Sequence, residues 1–148
     1  MPTDKNKYLM AAAISTTIAA LAHLGCIIFG ADWYRFLGAG EQMAQLAENG
    51  YWYPTVVTSV LVAVLLLWSL YALSGAGLIK RLPLLRLVLC AIASILLIRA
   101  VGFVYLIPFF PGNSLTFWLV SSGICLVMGA FYAVGTYKAW PVLKINRY

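Results

Sequence analysis

Apolar residues fill four long stretches of the chain, at about 8–30, 54–76, 84–107 and 115–137, and polar residues collect between them. Each stretch runs for roughly 22–24 residues, enough to cross about 30 Å of hydrocarbon with some tilt. Lipid offers no partner to an open strand edge, so the spans are expected as helices. The pattern predicts an all-α integral membrane protein, a four-transmembrane-helix bundle forming a single domain over residues 1–148.

The one long connection is 31–53. Within it, "EQMAQLAENG" (41–50) puts Glu41, Gln45 and Glu48 on one helical face and Met43, Leu46 and Ala47 on the other, then stops at Asn-Gly. A short amphipathic helix between helices 1 and 2, lying at the membrane surface, is expected there. Asp32 is expected to cap "WYRFL" (33–37), and "GAG" (38–40) to act as a flexible elbow. Pro83 suits the start of span three. Phe109, Phe110, Trp33, Tyr51, Trp52, Tyr53 and Trp118 are read as interfacial aromatics.

Composition agrees with the pattern. The chain is 64% hydrophobic and 9% charged, against about half apolar and about a quarter charged in soluble domains. The net charge of +6 adds orientation. Lys5, Lys7, Lys80, Arg81, Arg86, Lys138, Lys144 and Arg147 all flank one side of the spans. Arg35 stands on the other side with Asp32, Glu41 and Glu48. The positive-inside rule then places both termini in the cytoplasm of a cell inner membrane, with 31–53 extracytoplasmic. No basic stripe alternates with exposed aromatics, so nucleic acid is not an expected partner. The apolar run of span one continues past Ala20-Leu21-Ala22 to Phe29, which reads as a retained span and not a cleaved signal.

One charge breaks the pattern. Arg99 in "LLIRAVGF" (96–103) sits inside span three. Counting back from Ile107 along a continuous helix places it ~12 Å below the outer end. Arginine cannot discharge itself, and a mid-membrane arginine costs about 2.5–3.5 kcal/mol to insert on translocon scales. It is therefore expected to face the bundle or a wet cavity and to have a partner. Counting the same way places His23, Ser59, Ser121 and Ser122 in the outer half too, so each span contributes a polar group. No carboxylate lies in any span, which leaves Glu41 or Asp32 from the loop, backbone carbonyls or an external anion as partners for Arg99.

Cofactor and catalytic signals are weak. One histidine cannot supply both axial ligands of a haem within one chain. Cys26, Cys90 and Cys125 form no C-x-x-C, and no spacing suits zinc. No metal and no cofactor are expected. Ser121 or Ser122 with His23 lacks a third group to orient the histidine, so catalysis is disfavoured. In size the chain resembles the small multidrug exporters, but their span-one glutamate has no counterpart here. Small residues at Gly129 and Ala133 point to tight helix packing. The expected function is a small binding or accessory protein with a polar pocket in the outer leaflet built around Arg99 and His23, with Glu41, Ser121, Ser122 and Ser59 beside it. The expected partners are an anionic lipid, a quinone-like amphiphile, or a membrane subunit, including a second copy. The alternative is an oligomeric small transporter of an anionic or amphiphilic solute.

Overall fold

The computed structural model describes residues 5–144. Arg147, one of the flanking charges, lies outside the described residues. Every regular element among the described residues is helical: α1 (Lys7–Phe29), α2 (Ala31–Phe36), α3 (Glu41–Glu48), α4 (Trp52–Gly75), α5 (Leu85–Val101), α6 (Phe103–Leu106), a single 3-10 turn (Ile107–Phe109) and α7 (Leu115–Leu143). Three of these, α1, α4 and α7, are long and apolar enough to cross a membrane. A fourth crossing exists if α5 and the segment through Phe109 count as one span.

That pair departs from the expected continuous span over 84–107. The chain bends by 72° between α5 and the segment starting at Phe103. Gly102 is the break. Its N–H closes α5 on the Ile98 carbonyl at 2.8 Å, and its own carbonyl accepts from Tyr105 at 3.1 Å. A Cβ at this position would sit 2.8 Å from the Ile98 oxygen, so the bend as built requires glycine. Other boundaries follow local chemistry. The Asn6 side chain caps α1 by accepting from the Leu9 N–H, and Ser114 does the same for α7 through Phe117. Asp32 falls inside the first turn of α2 and makes no cap; Gly30 holds the N-cap position instead. Its carboxylate faces Arg35.

Helix α1 packs against α4 and α7, and α5 packs against α7. The helices meet through small residues. A Cβ on Gly135 would lie 2.6 Å from Leu9 Cγ, and one on Gly129 would lie 3.0 Å from Leu97. Leu9, Ala12, Ala72, Leu89, Ile92 and Tyr132 form the core of this end. Apolar burial drives little helix association in lipid, so polar contacts matter there. The Thr16 and Tyr132 hydroxyls meet at 2.8 Å, and so do those of Thr17 and Ser69, joining α1 to α7 and α1 to α4.

Helix α7 runs six residues past the expected span end at 137, to Leu143. The basic α4–α5 turn explains the extension. Arg81 donates to the Val142 and Leu143 carbonyls, and Arg86 stacks on Trp140 with its guanidinium carbon 4.0 Å from the ring centroid. Orphan carbonyls and one face of a half-buried indole are thereby covered. On the outside of the helices, Ile14, Ile18, Leu21, Ile28, Val60 and Leu67 are largely exposed. Apolar surface on that scale marks contact with lipid or another protein.

Candidate functional site: a capped cavity and an arginine cluster

At the end opposite the basic turn, α2 and α3 fold back over the ends of α1 and α4. Arg35 holds them together. Its guanidinium grips the Glu41 carboxylate with both oxygens, at 2.7 and 2.9 Å, and reaches Glu48 at 2.8 Å and Asp32 at 3.4 Å. The Arg35 hydrogen bonds hold the Glu41 carboxyl below the ordinary glutamate range, with charge attraction adding to the effect. Reciprocally, the bonds to Glu41 and Glu48 push the Arg35 value up. Glu41 therefore belongs to the surface network of the cap and is not the counter-ion of Arg99.

Beneath the cap is a cavity of about 580 Å³. Helix α1 contributes His23 and Cys26, α4 contributes Thr58 and Leu61, and the turn before α7 contributes Phe110. Glu41 stands at its α3 edge. Most of the wall is apolar. The polar atoms are few and anchored. The Tyr34 hydroxyl meets Thr58 Oγ1 at 3.0 Å, tying the cap to α4. His23 Nδ1 lies 2.7 Å from the Ala19 carbonyl. A carbonyl only accepts, so Nδ1 carries a proton, and in the neutral ring Nε2 is the free acceptor. The α4 side of the wall reaches the outer surface, because Val57 and Leu61 are exposed residues.

Arg99 is elsewhere. It lies across from α7, where it donates to the Ser121 hydroxyl at 3.0 Å and the Ser122 hydroxyl at 3.4 Å. Its guanidinium carbon sits 5.4 Å from the centroid of the Trp118 ring. The bend at Gly102 also shortens the straight helix beyond it. Arg99 is three residues from the break, so only ~4.5 Å of helix separates it from the end of α5, and not ~12 Å.

Of the residues expected together, the structure joins Arg99, Ser121 and Ser122, and separately places His23 and Glu41 on one cavity. Ser59 joins neither group. It is exposed and donates to the Thr55 carbonyl of its own helix at 2.7 Å. Its neighbour Thr58 points inward, since successive helical residues are about 100° apart. Trp118 is not an interfacial ring either: it is 3% exposed, boxed by Phe103, Phe110 and Phe117. Phe110 touches both the cavity and this box, and so links the two places. Sequence reasoning overlooked Tyr34, Thr58 and Arg35. The three acids around Arg35 were a usable signal, because an arginine at helical spacing from Asp32 and close to Glu41 attracts them first.

The fold and these two clusters define an all-helical chain with three to four helices suited to a membrane. No protein-family model matches the chain, and no curated protein or solved structure matches it either.

Proposed function

We propose that this chain is a four-span membrane protein whose two ends face the cytoplasm and whose α2–α3 cap lies on the outer surface, and that it binds an uncharged or weakly polar amphiphile beneath that cap. The cavity is the observation that carries the reading. Its volume falls within the range of small-molecule sites, its wall is mainly apolar, and a small number of fixed polar groups stand in it. The exposed α4 wall gives a ligand a route from the acyl chains. A quinone-like molecule or a lipid would lay its apolar body along Leu61 and Phe110. A hydroxyl on its head would donate to His23 Nε2. The ionised carboxylate of Glu41 at the rim argues against an anionic head in this place. Orientation rests on Lys80, Arg81, Arg86, Lys138 and Lys144, against one arginine and three acids at the capped end.

The test is to purify the protein in mild detergent and identify retained quinones and lipids by mass spectrometry. Val57→Trp, at an exposed edge of the wall, fills the cavity without disturbing the core. The wild type should carry one class of amphiphile in near-stoichiometric amount, and Val57→Trp should lose it. Equal retention by both proteins, or none by the wild type, would refute the assignment.

A further inference from the structure

Three of the chain's four carboxylates are gathered on Arg35. Arg99, half-buried, has no carboxylate among the described residues within ion-pair distance. It has two neutral hydroxyls and an aromatic face. A guanidinium carries five N–H donors, and two of these go to Ser121 and Ser122, which leaves three. Each serine accepts from Arg99, and neither hydroxyl proton has an acceptor among the described residues. A second, independent observation is beside them. The Trp118 indole N–H is buried and has no acceptor among the described residues. Buried donors of this kind are rare and costly. One guanidinium, two serine hydroxyls and one indole N–H therefore stand beside one another with donors that have no acceptor among the described residues.

We propose that Arg99, Ser121, Ser122 and Trp118 form a phosphate site at the capped end of α5 and α7, occupied by the phosphodiester of a membrane lipid or by a free phosphate. Tetrahedral oxyanions match this donor set in number and sign, and arginine binds them with two parallel N–H bonds. The bend at Gly102 ends α5 about one turn beyond Arg99, and the guanidinium stands beside Ser121 and Ser122, about two turns in from the Ser114 cap of α7; a long arginine side chain at such a place reaches toward the headgroups, and a lipid phosphate is drawn toward it. Phe103 and Phe117 pack against the indole and hold it in place. The proposal rests on the membrane-spanning part of the reading above and not on the cavity, whose ligand is of a different class.

Native mass spectrometry of the detergent-solubilised full chain tests it, with phosphatidylglycerol, diacylglycerol of the same acyl chains, and inorganic phosphate as probes. The wild type should retain phosphatidylglycerol over diacylglycerol by about tenfold or more, the scale of charge-assisted hydrogen bonds. Arg99→Gln should erase that preference and leave diacylglycerol unchanged. The Ser121→Ala/Ser122→Ala double variant keeps the charge and should lose part of the preference, which guards against misfolding of the arginine variant. If excess inorganic phosphate displaces phosphatidylglycerol, free phosphate is the occupant; if it does not, the lipid is. His23→Ala and Val57→Trp should leave the preference intact, so a failed cavity does not count against this site. Equal retention of the two lipids by the wild type, or an unchanged preference in both variants, overturns the proposal and makes Arg99 a helix-joining residue only.

Discussion

Gly38→Ala should open the cap, and a second glycine supplies the control. Gly38 follows α2 and Gly50 follows α3, and both have φ +73°. Both close their helix in the same way. Ala39 donates to the Tyr34 carbonyl and Tyr51 to the Leu46 carbonyl, each at 3.0 Å, with the glycine N–H bonding to Arg35 or Ala47. This is the Schellman arrangement, in which the left-handed residue favours glycine. An alanine at either position costs about 1–2 kcal/mol of backbone strain. The surroundings differ. At Gly50 nothing lies within 4 Å of a built Cβ, whereas at Gly38 the Cβ would fall 2.0 Å from Phe117 Cζ. The ring belongs to the box around Trp118, so it cannot yield freely. Overpacking adds about 1–3 kcal/mol. The difference between the two variants is then about 1–3 kcal/mol, or roughly five- to hundredfold in opening. Hydrogen exchange of residues 31–50 in nanodiscs measures it, because a small cap opens without global unfolding. Adding Phe117→Ala to Gly38→Ala should return exchange toward that of Gly50→Ala, a coupling a double-mutant cycle would register. The steric argument fails if Gly38→Ala and Gly50→Ala exchange alike, or if Phe117→Ala brings no recovery.

Arg35→Gln should speed exchange across α3 at low salt and approach the wild type in high salt, since exposed ion pairs are screened. Acidification should act through Glu41. Its folded value is depressed, so its contribution is present above the ordinary glutamate value near ~4.3 and is lost as pH falls through the lower folded value. Once the intrinsic pH dependence of amide exchange is divided out, protection of α3 should therefore be flat around neutrality and fall only in strong acid; a loss of protection between about pH 6 and pH 8, well above the ordinary carboxylate range, would contradict the network. Tyr132→Phe removes a hydroxyl that lies 2.8 Å from Thr16 and 3.1 Å from the Trp68 carbonyl. The expected loss is about 0.5–2 kcal/mol, read by titration with a denaturing detergent. With the native cysteines replaced by alanine, Gln45→Cys should react with an impermeant reagent from outside intact cells and Lys138→Cys only after permeabilisation; the reverse pattern would invert the proposed topology.

The long apolar helices α1, α4 and α7 were legible because they depend on a signal summed over some twenty residues, which no single side chain can mask. The amphipathic segment 41–48 was legible for a similar reason: its two faces are chemically distinct, and α3 begins and ends where Glu41 and Asn-Gly place it. Single-residue geometry was less legible. Ser59 and Thr58 are both small and hydroxylated, and only the rotation of α4 decides which one faces the cavity. Trp118 stands near a span end, where tryptophans commonly meet the interface, and only the folding of Phe103 and Phe110 onto it turns the ring inward.

Arg99 shows where linear counting gives out. Depth measured at 1.5 Å per residue assumes an unbroken helix. A single glycine inside an apolar run is a weak signal, because spans tolerate glycine well. Yet the bend at Gly102 leaves Arg99 three residues from the end of its straight helix, so the count along an unbroken span no longer applies to it. A carboxylate within the fold is the strongest partner a deep arginine can have. The three carboxylates near enough in the sequence are instead drawn to Arg35, which reaches them without leaving water. The charge at Arg99 is then answered by hydroxyls and an aromatic ring, partners that hold a guanidinium in place without neutralising it. An arginine kept positive beside spare N–H and O–H donors has the chemistry an anion requires, which is why the phosphate proposal stands on Arg99 and not on the cavity.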